Sequence, residues 1–134
     1  MNKNIFLLCF FTLTVIFIVT GCDDTSTNTD IDSVVIPTSN ISFNQFILPI
    51  FDYKCNNANC HSSSGRAGGL SLDSYASVTS NSLVVFPGVP DNSKLVWAIE
   101  GRTVSPMPPI GYPVLLPTQV KAIRTWIKEG AKNN

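Results

Sequence analysis

The stretch Cys55-Asn56-Asn57-Ala58-Asn59-Cys60-His61 places two thiols and an imidazole within seven residues, and His61 is the only histidine of the 134-residue chain. Each thiol can add to one vinyl group of a porphyrin and so fix the ring to the chain. The histidine directly after the second cysteine can then reach the iron from one face, so the trio suits covalent haem attachment. The usual signature of this kind has two residues between the cysteines; here there are four. A longer spacer can still bulge outward and bring both sulfurs to the ring edge. The same residues admit other chemistry. A short loop can hold two cysteine Cα atoms at about 4.4–6.8 Å, as a disulfide requires, and an oxidising compartment would allow Cys55 and Cys60 to pair. A structural zinc site needs four ligands, and this stretch offers three.

A second soft donor lies further on. Thr103-Val104-Ser105-Pro106-Met107-Pro108-Pro109-Ile110-Gly111-Tyr112-Pro113 is too rich in proline for a regular helix, and Met107 is the only methionine besides Met1. A methionine thioether opposite histidine is a known axial pair for haem iron and raises its reduction potential. Pro106, Pro108 and Pro109 fix the backbone φ on both sides of the sulfur. Alone, a methionine between prolines reads as a loop residue or gap-filler. After an attachment site for haem, Met107 becomes the favoured distal ligand.

The rest of the chain must deliver these groups to one place, and its start says where. Met1-Asn2-Lys3-Asn4 carries one positive charge, and residues 5–19 carry none. A membrane span needs about 20 apolar residues, so this run fits the core of a secretory signal. Val19-Thr20-Gly21-Cys22 resembles the bacterial lipobox, which implies a diacylglyceryl thioether on Cys22; the bland alternative is an ordinary signal with an incidental cysteine. The predicted division is a lipoprotein signal peptide over residues 1–21, a flexible tether over 22–40 and one folded domain over 41–134. Cys9 then leaves with the signal and Cys22 takes lipid, so Cys55 and Cys60 are the cysteines left for the domain. The expected location is the periplasmic or cell-surface side of a bacterial membrane, held there by lipid. A net charge of zero with 13% charged residues argues against nucleic acid as a partner.

The tether is rich in Asp, Ser, Thr and Asn with one brief run, Val34-Val35-Ile36. Such composition buries too little to fold alone, and Asp23, Asp24, Asp30 and Asp32 read as solvated charges. Ser42 with Gln45 is a capping-box pattern, and Phe43, Phe46, Ile47, Ile50 and Phe51 follow at helical spacing. Pro49 should bend this helix, which delivers Cys55. After His61 the run Ser62-Ser63-Ser64-Gly65-Arg66-Ala67-Gly68-Gly69 reads as a loop. Asp73 or Ser74 can cap a short helix, and Asp91, Asn92 or Ser93 another, in which Leu95, Val96 and Ile99 face inward, Trp97 packs in the core or on the haem edge, and Gly101 ends the helix. The last helix starts at Pro117, buries Val120, Ile123, Trp126 and Ile127 against the first helix near Phe46 and Ile50, and ends at Gly130. Lys121, Arg124, Lys128 and Lys132 read as a solvated face or, less simply, as a docking face for an acidic redox partner.

Phe46-Ile47-Leu48-Pro49-Ile50-Phe51, Cys60-His61, Gly68-Gly69-Leu70-Ser71-Leu72-Asp73, Pro87-Gly88 with Ser93-Lys94-Leu95, Met107-Pro108-Pro109 and Trp126-Ile127-Lys128-Glu129-Gly130-Ala131 occur in that order. Residues 43–131 thereby resemble the small c-type cytochrome domains labelled planctomycete-type, within the wider class I cytochrome c group. The resemblance implies an all-α fold of three to four short helices and long loops around one haem. It implies haem c held by Cys55 and Cys60, with His61 as proximal and Met107 as distal ligand. The expected role is a lipid-anchored monohaem electron carrier, not an enzyme, serving an oxidoreductase or respiratory complex. Arg66 and Arg102 are the charges expected near the propionates. The competing expectation is a non-haem binding or scaffold lipoprotein with a Cys55–Cys60 disulfide.

Overall fold

Ser42 opens the first helical element by accepting the Gln45 backbone N–H on its Oγ at 3.2 Å. The computed structural model describes residues 30–134, so the signal over 1–21, Cys9, Cys22 and residues 22–29 of the tether lie outside the described residues. Phe43–Ile47 forms a single π-helical stretch that runs directly into helix α1, Leu48–Lys54. Pro49 therefore sits just past the junction of the two helical stretches and supplies no N–H there. The wider turn before it takes up the disturbance expected as a bend.

Three further α-helices follow: α2, Tyr75–Thr79; α3, Lys94–Ile99; and α4, Pro117–Lys128. Single 3₁₀ turns cover Ala67–Gly69 and Pro90–Asn92. Among the described residues there is no strand, and no helix is long and apolar enough to cross a membrane. Ser74 caps α2 by accepting the Ser77 N–H at 3.2 Å. Ser93 stands at the N-cap of α3 but is fully buried and turned elsewhere: its Oγ accepts the Phe86 N–H at 2.9 Å. Helix α4 ends in a double turn, with Gly130 N–H on the Ile127 carbonyl (3.0 Å) and Ala131 N–H on the Trp126 carbonyl (2.9 Å). That Schellman closure needs the left-handed backbone Gly130 provides at φ 100°.

The core joins the first and last elements. Phe43 lies 5.4 Å from Trp126 and 5.3 Å from Tyr75, ring centre to ring centre. Ile47, Ile50, Phe51, Ile123 and Ile127 are fully buried around them. Helix α4 thus meets the first element at Phe43; Phe46, expected at the crossing, is only partly buried. Each such side chain contributes about 1.5–3 kcal/mol by leaving water. The Tyr75 hydroxyl donates to the Ala131 carbonyl at 2.8 Å, and Trp126 Nε1–H to that of Lys132 at 2.9 Å, so the polar ends of the aromatics are satisfied.

The segment read as tether departs from expectation over its described part. Ile31 is buried, and Val34 and Ile36 pack against the core. The Glu129 carboxylate accepts the N–H groups of Asn40 and Ile41 at 2.7 and 2.9 Å. Composition missed this because three apolar residues in a polar run suffice once a finished surface exists to receive them.

Candidate functional site

Helix α1 ends at Lys54, and Cys55 caps it, its N–H still donating to the Phe51 carbonyl at 2.8 Å while a φ of −125° turns the chain away. The four-residue spacer is then absorbed in turns. Cys60 N–H donates to the Asn57 carbonyl (2.8 Å) and His61 N–H to the Cys55 carbonyl (3.1 Å), so the longer loop closes on itself and returns His61 beside Cys55. Ala67 N–H holds the Cys60 carbonyl from the other side at 2.9 Å.

His61 is fixed twice. Its carbonyl accepts the Leu72 N–H at 2.7 Å, and its Nδ1 lies 3.4 Å from the Leu70 carbonyl oxygen. A carbonyl can only accept, so a hydrogen bond here takes the Nδ1–H tautomer, the one that leaves the Nε2 lone pair for a metal. Met107 comes from a distant part of the chain and is pinned by its N–H to the Ala98 carbonyl of α3 at 2.9 Å. Gly101, at φ 69°, turns the chain out of α3 toward that segment.

All four residues meet. Cys55, Cys60, His61 and Met107 line one cavity of about 720 Å³, counting its open mouth. Its apolar walls include Ile99, Leu115, Pro108 and Pro109. Cys55 and Cys60 are free thiols. Burial, followed by the neighbouring Cys60 and Asp52, pushes the Cys55 thiol up to about 12, against a smaller opposing pull from Lys54. Among the described residues no group of three or more His, Cys, Asp or Glu is placed to hold a metal ion, so a zinc site lacks its ligand set. Haem fits what is present: a large apolar wall for the ring, two thiols for its vinyl groups, and an imidazole nitrogen and a thioether for iron.

Other expected contributors lie elsewhere. Neither Arg66 nor Arg102 lines the cavity; Arg102 pairs with Glu100 at 2.9 Å and stacks loosely on Trp97. Trp97 is 37% exposed, with its Nε1–H on the Asp91 carbonyl, so it is neither core nor cavity wall. Arg124 is held by Asp91 and Glu100 at 2.9 and 2.8 Å, which removes it from a free basic docking face.

Sequence reasoning missed Lys54. Its side chain is only 3% exposed, it lines the cavity, and its ammonium pairs with Asp32 at 2.8 Å. Asp32 also accepts from Gln119 Nε2 at 2.9 Å, and Gln119 Oε1 accepts the Leu116 N–H. Asp32 is therefore a fixed partner and not a solvated linker charge. The signal was there in spacing: Phe43, Ile47, Ile50 and Lys54 fall on one helical stripe.

The fold and site define a small helical domain whose apolar cavity gathers two thiols, an imidazole and a thioether. Residues 58–111 match the family model described as planctomycete cytochrome C. The match supports a small c-type cytochrome domain, and a cytochrome of this type implies haem as its cofactor. It takes in Cys60, His61 and Met107, begins just after Cys55, and is narrower than the 43–131 span of the sequence resemblance. Neither a curated protein nor a solved structure matches the chain.

Proposed function

We propose that the protein is a lipid-anchored, monohaem c-type cytochrome that carries electrons and does not turn over a substrate. The observation that carries this reading is that Cys55, Cys60, His61 and Met107 all line one largely apolar cavity. Cys55 and Cys60 would hold haem c through thioethers, and His61 Nε2 and the Met107 sulfur would be its proximal and distal iron ligands. Haem bound here supplies reversible one-electron chemistry at iron. With both His61 and Met107 holding the iron, no coordination position would remain for a substrate, which favours outer-sphere transfer over catalysis. Ile99, Leu115 and the prolines beside Met107 exclude water from the ring. The class I cytochrome c arrangement is the fold proposed for the four helices. Export and a lipid on Cys22 would place the domain beside a bacterial membrane, where a redox protein such as an oxidoreductase or respiratory complex is its partner.

The test is a haem stain after denaturing electrophoresis of protein exported in cells with a cytochrome c maturation system. Wild type is expected to stain, Cys55→Ser and Cys60→Ser to stain weakly, and the double variant not at all. Properly exported wild type that carries no stain sinks the reading and leaves the disulfide-bearing scaffold protein in its place.

A further inference from the structure

We propose that the Asp32–Lys54 pair is a charge control on the haem site: Lys54 is a cation built into the cavity wall that favours the reduced state, and Asp32, supplied by the N-terminal segment, offsets part of its field. The proposal rests on the haem reading above. Three observations lead to it. First, Lys54 lines the cavity and is 3% exposed at its side chain. A charge in such a place costs several kcal/mol unless paired, and an apolar side chain of similar volume would pack at no such cost; packing alone does not explain a lysine here. Second, Asp32 is the one carboxylate that pairs with it among the described residues, at 2.8 Å. Third, the pair is lopsided, because the Asp32 side chain is 37% exposed.

The lopsidedness decides the sign. Water screens the half-exposed carboxylate more than the buried ammonium, so the field left inside the cavity is positive. Reduction adds one electron to whatever the cavity holds, and a positive field stabilises that added charge. Gln119 from α4 keeps the carboxylate in register by donating to it at 2.9 Å. The chain before the helices thereby becomes part of the site: Ile31 is buried, and its carbonyl accepts from the same Gln119 amide at 3.3 Å.

The experiment is a potentiometric titration of haem-loaded wild type, Lys54→Met, Asp32→Asn and the double variant Lys54→Met/Asp32→Asn. Lys54→Met is expected to shift the reduced-to-oxidised ratio at fixed ambient potential about three- to tenfold toward oxidised. That is roughly 30–60 mV downward at 59 mV per tenfold for one electron. Asp32→Asn shifts it in the opposite direction, Lys54→Arg stays close to wild type, and the double variant lies above Lys54→Met. Should Asp32→Asn leave too little folded protein, the step from Lys54→Met to the double variant still reads the sign of Asp32. A wall merely loosened by mutation admits water and moves every variant downward together; that result, or no shift at all, overturns the proposal while the loaded wild type keeps the haem reading intact. Wild type that binds no haem removes both.

Discussion

Gly65 lies so close beneath Cys60 that a Cβ added to it would stand 2.7 Å from the Cys60 carbonyl oxygen and 2.8 Å from that of Ala58. Both neighbours are backbone, so neither can swing aside. The chain after His61 is folded back against the loop that carries the two thiols, and glycine is what permits the approach. Gly65→Ala is therefore expected to destabilise the domain by roughly 1–3 kcal/mol, read as a lower denaturation midpoint, and to reduce haem loading with it. Gly69→Ala gives the contrast: nothing lies within 4 Å of its added Cβ, so its cost comes from the left-handed backbone alone and should leave loading unaffected.

Much of the site was legible because its chemistry sits in rare residues. One histidine, one methionine beyond the first, and a cysteine pair just before that histidine singled out four residues, and the structure brings those four to one cavity. The elements were legible where capping and periodicity agreed, as at Ser74, Gly101 and Gly130. What escaped was tertiary. No local pattern tells that Asp32 will find Lys54 twenty-two residues on, or that Trp97 will turn outward to Asp91 while its neighbour Val96 is fully buried. Arg102 and Arg124 looked available because charge is visible in a sequence and ion pairing is not.

Phe43 joins three parts of the chain, touching Tyr75 and Trp126 by its ring while its N–H donates to the Asn134 side chain at 3.0 Å. Phe43→Ala should cost about 3–5 kcal/mol, enough to unfold much of a domain this small at 37 °C. Haem-free protein followed by circular dichroism is the cleaner measurement, since a bound ring would mask part of the loss. A change below about 1 kcal/mol would mean that the aromatic junction is not the keystone of the fold.

Met107→Ala separates a closed iron site from an open one. If Met107 is the distal ligand, its loss should change the visible and electron paramagnetic resonance spectra of the oxidised protein away from six-coordinate His/Met ligation. The potential should fall by at least about 59 mV, a tenfold shift for one electron. Unchanged resting spectra would point to an iron that was open already, as a peroxidase requires.

Cys55 titrates at about 12 because it is buried beside a second thiol and Asp52. Only the thiolate attacks an alkylating reagent, so in haem-free protein Cys55 should label slowly at pH 8, with a rate that climbs as pH approaches 12. The folded value is raised, so the thiol's contribution to stability is whole below about pH 9 and disappears as pH rises through 12. Cys55→Ser should soften that alkaline loss. Rapid labelling of Cys55 at neutral pH would show a more open site than the structure contains.

Asp32 titrates below its ordinary value, first because Lys54 donates to it and then because Gln119 does. A depressed carboxyl stabilises the fold above its unfolded value, near pH 3.9, and that contribution is lost as pH falls through the folded value. Asp73 behaves alike through its bond from Ser71, so two carboxylates shape the acid limb and Asp32→Asn should flatten only part of it. The variant is expected to be less stable than wild type at pH 7 and to approach it as pH falls through the lowered folded value of Asp32. Denaturant midpoints measured across that range check the sign. Parallel curves, offset equally at every pH, would mean that the side chain's shape matters at position 32 and its charge does not.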